Sequence, residues 1–564
     1  MSNIFKHVLA RKPKRSTFNL SHMNSLTMNF GKLVPFLCEE VVPGDTWKVD
    51  SNVFVRFAPM VFPVMHDIKV TTHYFYVPFR LVWDNFEKFI TGENEANNEN
   101  PPVFPRVRLR VDGDEDSSFF DPGSLADYLN YPTTDANTET EGLRVSALPF
   151  RAYQLIYNEY YRDENLQPEV EFSRGDGEDA APGDDAYAAL LTLRNRAWSK
   201  DYFTSALPWT QKGPQQMVPV DGEAVISNSQ HPTFTRIAAS DNAYATFYYG
   251  STDMSSHRDL KVANMMKDND PNSPTASPGV ALSGGVFTQA IDSAATIDNS
   301  RNLDLSGVEA IVTGAGFTIN DLRRSSAIQR WLERNARGGS RYIESLLSHF
   351  GVESDDLRLQ RPEFLGGATT PVVINDVLQT SQTTTGEGGS PQAQYAGIGF
   401  CNTNVNGFKR TFKERGLIIG ILSVMPKPAY TEGLPRSLRK FDKFDYYWPE
   451  FANLGEQEVY NYELALRGDN IMETFGYAPR FAEYKYVPSR CHGEFKTTLS
   501  KWNLARHFEN QPALTSEFIM CDDESNDLNR IFAVEAATEH HLFVQIRNSI
   551  KARRPMPYLP DPSL

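Results

Sequence analysis

The chain reads as a mainly β protein whose antiparallel sheet is assembled from segments far apart in sequence. Three observations predict this. Apolar and polar residues alternate through "WKVDSNVFVRF" (47–57) and "HLFVQIR" (541–547), the period of a half-buried strand. Runs rich in β-branched and aromatic residues stand at "IKVTTHYFYVP" (68–78) and "RGLIIGILSVM" (415–425). The strands are separated by far more than a hairpin loop, so neighbours in the sheet are not neighbours in the chain.

In chain order, "VVPGDT" (41–46) is a turn, with Pro43 followed by Gly44-Asp45. In the strand after it, Trp47, Val49, Val53, Val55 and Phe57 alternate with Lys48, Asp50, Asn52 and Arg56. The run at 68–78 stops at Pro78. A short helix is expected over 124–129, and a longer one over 150–163 with Tyr153, Ile156, Tyr157 and Tyr160 on one stripe. "AIQRWLERNA" and "RYIESLLSHF" read as two helices joined through "RGG", the second with Ser340 as cap and Gly351 as stop. "FAEYKYVP" (481–488) reads as a strand, and Leu542, Val544 and Ile546 form the inward set of the last one. Three polar stretches look like surface insertions: 91–102 running into "VDGDEDSS", 163–185, and the longest, about 214–305. A loop of that last length inside a compact domain is usually functional.

Composition narrows the function classes. Net charge is -15, whereas a dedicated nucleic-acid binder is usually basic. The positive charge is segregated, however. Residues 1–38 hold Lys6, Arg11, Lys12, Lys14, Arg15 and Lys32 and no acid, and the C-terminal stretch adds Arg547, Lys551, Arg553 and Arg554. Charge alone fits two arms facing a polyanion and two solubilising tails equally well. Cys38, Cys401, Cys491 and Cys521 lie far apart without a C-x-x-C, which suits free thiols in a reducing compartment. The N-terminus has no apolar core of a signal peptide, and the best apolar run (416–425) is half the length needed to span a bilayer, so a soluble protein without membrane insertion is expected.

The chemical motifs are weak. "TGAGFTIN" (313–320) begins like a dinucleotide-binding turn, but Ile319 stands where the third glycine belongs and Glu333 falls in a helical pattern. A turn into a helix capped by Thr318 or Asn320, with Asp321 in the first turn, explains it better. "ARGGSRY" (336–342) lacks the lysine of a phosphate loop and reads as a turn between helices. His492 and Glu494 give the H-x-E of zinc deaminases without its P-C-x-x-C, and His540 and His541 read as ordinary strand positions. No catalytic constellation, metal site or cofactor site is expected.

Long, compositionally unusual blocks carry a resemblance. "VVPGDTW", "FAPMVFPVM", "HYFYVPFRLVWDNFEKFITG", "FRAYQLIYNEYYRDENLQ" and "DYFTSALPWTQKG" resemble the major capsid protein of microviruses, small tailless bacteriophages with circular single-stranded DNA, and most closely the gokushovirus branch. The similarity continues through 332–367, 430–459 and 475–505, covering most of residues 16–520 in blocks; Thr210 departs from it where a second proline is expected. The resemblance implies an antiparallel eight-stranded jelly roll of the viral capsid type with long inter-strand insertions. It implies residues 1–33 as a basic arm, 34–213 and 306–564 as the two parts of the jelly-roll body, and 214–305 as a protrusion near the three-fold axes. It further implies self-assembly into a T=1 icosahedral shell around the genome, built in the bacterial cytoplasm with a small basic DNA-binding protein and a scaffolding protein. Lys6, Arg11, Lys12, Lys14, Arg15, Arg547, Lys551, Arg553 and Arg554 are the expected DNA-facing set; Phe234, Phe247, Tyr248 and Phe287 are the expected host-receptor-facing set. The other reading is a carbohydrate-binding or carbohydrate-active β-sandwich, suggested by an aromatic content of 12%.

Overall fold

The computed structural model describes residues 14–91, 101–108, 115–133, 143–179, 184–214, 222–227, 246–249, 258–261, 280–282, 286–288, 309–314, 319–337, 348, 360–381, 393–534 and 539–559. The chain divides into a body, residues 1–215 and 329–564, and an inserted unit, residues 216–328.

The body rests on two antiparallel sheets. Their strands are β1 (Ser16–Asn19), β2 (His22–Met28), β3 (Val34–Val41), β4 (Thr46–Phe57), β5 (Ile68–Pro78), β6 (Glu363–Pro371), β7 (Val373–Leu378), β8 (Tyr395–Thr411), β9 (Gly416–Pro426) and β10 (Leu542–Arg554). The first sheet runs β1-β10-β4-β8-β7, with β2 lying along the same edge of β10 as β1. The second runs β6-β5-β9-β3. Strands far apart in the chain, β1 and β2 on one hand and β10 on the other, are therefore woven into one sheet.

The alternation read in the sequence sets the layers. Trp47, Val49, Val53, Val55 and Phe57 of β4 and Leu542, Val544, Ile546 and Ile550 of β10 are all buried and share a core with Val70, Tyr74, Ile418 and Val424 of the second sheet. Each such side chain contributes about 1.5–3 kcal/mol on burial. A one-residue slip of β4 would turn the whole set to solvent, so the register is strongly specified. Ser51 and Asn548 occupy inward positions as a closed polar pair: Ser51 Oγ donates to Asn548 Oδ1 at 2.7 Å and accepts from Tyr74 Oη at 2.7 Å.

The second sheet is covered on its other face as well. A helix, α1 (Leu148–Ile156), continues as a π turn over Tyr157–Tyr161 and packs Phe150, Tyr153 and Ile156 against Phe75, Val77 and Ile419. Every residue of β9 is consequently buried. Its unbroken apolar run is that of a strand covered on both faces, not of a membrane span. Arg151 of α1 is buried with Asp179 and also donates to the carbonyls of Val82 (3.0 Å) and Gly175 (3.1 Å), which offsets its desolvation. A third cluster, with Phe203, Tyr430, Val459, Phe475 and Phe518, lies under the long segment between β9 and β10. Gly31 has φ +77, and a Cβ there would sit 2.0 Å from the Cys521 carbonyl oxygen, so both conformation and space demand glycine.

Several expectations are revised. "FAEYKYVP" is not a strand: Phe481 takes left-handed dihedrals, its N–H is held by Gln457 Oε1 at 3.0 Å, and Ala482–Tyr484 forms a 3-10 turn. His540 and His541 precede β10 rather than lying in it; His541 is buried against Phe532 and His540 bonds Thr27. Asn320 lies inside α2 (Ile319–Arg337), with Asp321 in its first turn and Glu333 within the same helix; Thr318 and the expected helix over 341–350, apart from Ser348, lie outside the described residues. Among its described residues the inserted unit holds antiparallel ribbons of Gly222–Ser227 with Glu309–Gly314, Thr246–Tyr249 with Arg258–Lys261, and Val280–Leu282 with Val286–Thr288.

Candidate nucleic-acid interface

The two sheets differ in what their outer faces meet. The second is covered by α1 and its loops, whereas the first presents its outer face as a row of polar and charged side chains. On β10 the buried positions alternate with exposed Phe543, Gln545, Arg547, Ser549, Lys551 and Arg553. On β4 the outward set is Thr46, Lys48, Asp50, Asn52, Phe54 and Arg56.

Register brings these sets together. Lys551 is opposite Lys48, and Lys48 is opposite Lys409 of β8, so three lysines stand side by side across three strands. Arg547 lies beside Asn52, whose Nδ2 donates to Asn402 Oδ1 at 3.1 Å and Asn404 Oδ1 at 2.7 Å. Arg56 lies between Phe543 and Phe400, and Phe54 between Gln545 and Asn402. Six cations (Lys48, Arg56, Lys409, Arg547, Lys551, Arg553) thus face outward against one acid, Asp50, which pairs with Lys48 at 3.1 Å. Among the described residues the other five have no carboxylate partner. Like charges directly opposite on a sheet destabilise it by a few tenths of a kcal/mol per pair. Rings for stacking, amides and unpaired cations on one rigid surface are what a single-stranded nucleic acid requires.

The DNA-facing residues expected from sequence divide. Arg547, Lys551 and Arg553 lie on this face, and Lys14 and Arg15 are exposed just ahead of β1. Lys6, Arg11 and Lys12 lie outside the described residues. Arg554 points the other way. Its guanidinium is 3.3 Å from the buried Asp45 carboxylate, lies over the Trp47 ring at 5.2 Å, and donates from Nη2 to the Glu40 carbonyl at 2.9 Å. Sequence reasoning missed Lys48, Arg56, Lys409, Asn52, Phe54 and Phe543 as a group. The alternation named the outward positions of β4, but the lysine row depends on cross-strand register, which periodicity does not encode. Of the receptor-facing set, Phe247 and Tyr248 are on one ribbon of the inserted unit and Phe287 on another; Phe234 lies outside the described residues.

Elsewhere, no group of three or more histidine, cysteine, aspartate or glutamate side chains is placed to hold a metal among the described residues. No described helix is long and apolar enough to cross a membrane.

The body is thus a two-sheet β scaffold, and the outer face of its first sheet carries mostly cationic and polar side chains. Residues 6–564 match the capsid protein (F protein) family of phages, and the chain belongs to that family, which is structural and not enzymatic. It is similar to capsid protein VP1 of Chlamydia phage 1, at 34% identity over 100% of this chain and 98% of that one. It is also similar to VP1 of Bdellovibrio phage phiMH2K, at 34% identity over 91% and 90% of the two chains, and of Spiroplasma virus 4, at 30% over 98% and 95%. The chain is thus a gokushovirus-like virion component, as its sequence blocks suggested.

Proposed function

We propose that this chain assembles into a T=1 icosahedral shell, that its two sheets are those of an eight-stranded jelly roll, and that the bare face of the first sheet lies against an enclosed single-stranded DNA genome. The lysine row Lys551–Lys48–Lys409 carries the DNA-facing part of this reading. Asp50 offsets only Lys48; the like charges of Lys409 and Lys551 on either side of it cost stability unless a further anion offsets them, and packaged phosphate is that anion. The net charge of -15 supports a separate small basic protein neutralising most of the genome, with a scaffolding protein assisting assembly in the host cytoplasm. The inserted unit supplies the host-facing element: polar, turn-rich chain that leaves the body and returns to it is where recognition sits on rigid scaffolds.

The test is the triple substitution of Lys48, Lys409 and Lys551 to Gln. Single-strand binding falls with log salt at about 0.7 per neutralised phosphate, so the variant's slope should be shallower by about 2. Its packaged DNA should fall while its melting temperature holds or rises. An unchanged slope together with normal DNA content would remove the face from the genome.

A further inference from the structure

Beyond the sheet face, the body exposes an aromatic ridge whose rings are only partly packed against their own fold. Within 438–448, Phe441 is 85% exposed and Leu438 68%, while Phe444, Tyr446, Tyr447 and Trp448 are each about half exposed. Tyr484, Val487 and Leu454 extend the patch. A large aromatic side chain presents 150–250 Å², so the five rings leave roughly 500 Å² open and the whole patch about 800 Å². A monomer's largest apolar patch is about 300–600 Å², and one side of a standard protein interface is about 800 Å².

The ridge is held rigid. The Asp445 carboxylate accepts from the N–H groups of Phe441 (3.0 Å) and Asp442 (2.9 Å), and Trp448 Nε1 donates to the Lys443 carbonyl at 2.8 Å. Lys440 Nζ is clamped over the Tyr484 ring at 3.8 Å and paired with Glu483 at 3.6 Å. A side chain projected from so constrained a turn loses little entropy on docking.

Beside the ridge lies a cleft of about 400 Å³, lined by Leu434, Pro435, Leu438, Tyr486, Val487 and Pro488 among others, with Cys491 also in its lining. Three of the polar groups in its lining are satisfied by one another: Tyr202 Oη donates to Glu463 Oε2 at 2.9 Å, and Arg436 pairs with Glu463 at 3.5 Å. Such a cleft favours an apolar group. Phe441 does not fill its own copy's cleft, because its ring is open to solvent.

We infer that Phe441 of one copy inserts into the cleft of a neighbouring copy, making ridge-into-cleft a contact of the shell. The occupant is a second copy because each chain carries both halves, and a repeated heterologous contact closes a ring wherever its rotation is a whole fraction of a turn. Asp442 beside the ring and Arg490 and Lys496 at the cleft, which have no carboxylate partner among the described residues, complement each other in sign. The inference rests on the shell-forming reading but not on the DNA-facing one.

Full-length Phe441→Cys, assembled into particles and treated with a mild oxidant, should form inter-copy disulfides with the native Cys491. These appear as dimers and larger species on a non-reducing gel and vanish in Phe441→Cys with Cys491→Ser. Phe441→Asp should lower particle yield at least tenfold while the unassembled protein melts as wild type does. Intact particles without the crosslink, a crosslink that survives Cys491→Ser, or wild-type yield from Phe441→Asp each overturn the inference. Shell formation itself would stand in all three cases.

Discussion

Arg553 and Arg554 are adjacent in sequence and should behave as unrelated residues. Successive side chains on a strand point to opposite faces, and β10 obeys this: Arg553 is exposed on the bare face, and Arg554 folds back onto Asp45 and Trp47. The Asp45 carboxylate is fully buried and accepts from Trp47 Nε1 and the Val42 N–H, each at 3.1 Å. Removing one partner of a fully buried ion pair costs 3–5 kcal/mol. Asp45 keeps its two N–H donors and the Arg554 side chain is 19% exposed, so Arg554→Gln should cost about 2–3 kcal/mol. Unfolding entropy scales with length, and a body of this size moves about 1 °C per kcal/mol. The expected drop in melting temperature is therefore about 2–3 °C, with little change in the salt dependence of oligonucleotide binding. Arg553→Gln should leave melting unchanged, since exposed substitutions stay within about 0.5 kcal/mol. It should also make the log-log salt slope shallower by about 0.7. Scanning fluorimetry and fluorescence anisotropy at several salt concentrations read the two effects separately. Equal melting temperatures, or a slope change from Arg554→Gln alone, would refute the assignment of faces.

Two other outcomes follow. Burial, and secondarily the Arg196 charge, lowers the His73 pKa to about 4, and its Nδ1 bonds Tyr161 Oη at 2.7 Å. A base whose folded pKa lies below its unfolded one gives full stability above about pH 6.5 and loses it as the pH falls toward about 4, here by on the order of 3 kcal/mol. His73→Phe should flatten the melting curve over that window, though not abolish its slope, since His66 and His540 shift the same way; an unchanged slope would exclude His73. Shortening 214–305 with Gly213 and Gly307 kept as anchors should give intact shells with lost or altered host adsorption, scored by particle yield and adsorption separately. Normal adsorption would remove the receptor role, and absent shells would move the segment into assembly.

The sheets were legible where one face meets water. Trp47 to Phe57 and Leu542 to Ile550 alternate because each strand borders core on one side and solvent on the other. β9 was legible as a strand by its length and β-branched content, although burial on both faces erased its period. "FAEYKYVP" was misread because its spacing mimics a strand, whereas the left-handed turn at Phe481 comes from a tertiary bond to Gln457. The charges of the bare face were visible one by one. Their convergence was not, because Lys48, Lys409 and Lys551 meet only through pairings between strands hundreds of residues apart. The blocks at 74–83 and 444–451 are both rich in aromatic residues. The first is largely core and the second largely exposed, and composition cannot separate a ring that packs inside its own fold from one left for another.

An acidic protein can carry a basic face because electrostatic reach is short. At about 0.1 M salt the screening length is about 10 Å, and stacked sheets stand about 10 Å apart. The acids of the loop around Val170 and Phe172, which packs against the cluster covering the second sheet's other face, contribute little field at the outer face of the first. What a phosphate backbone meets there is local: six cations against Asp50, fixed on strands whose inward side chains form the main core. That core supplies the stability that the repulsion among the lysines draws on. A polyanion laid along the face would relieve the repulsion and gain the attraction at once. Binding to this face and stability of the body are therefore linked, and DNA should raise the melting temperature of the wild type more than that of the triple Lys→Gln variant.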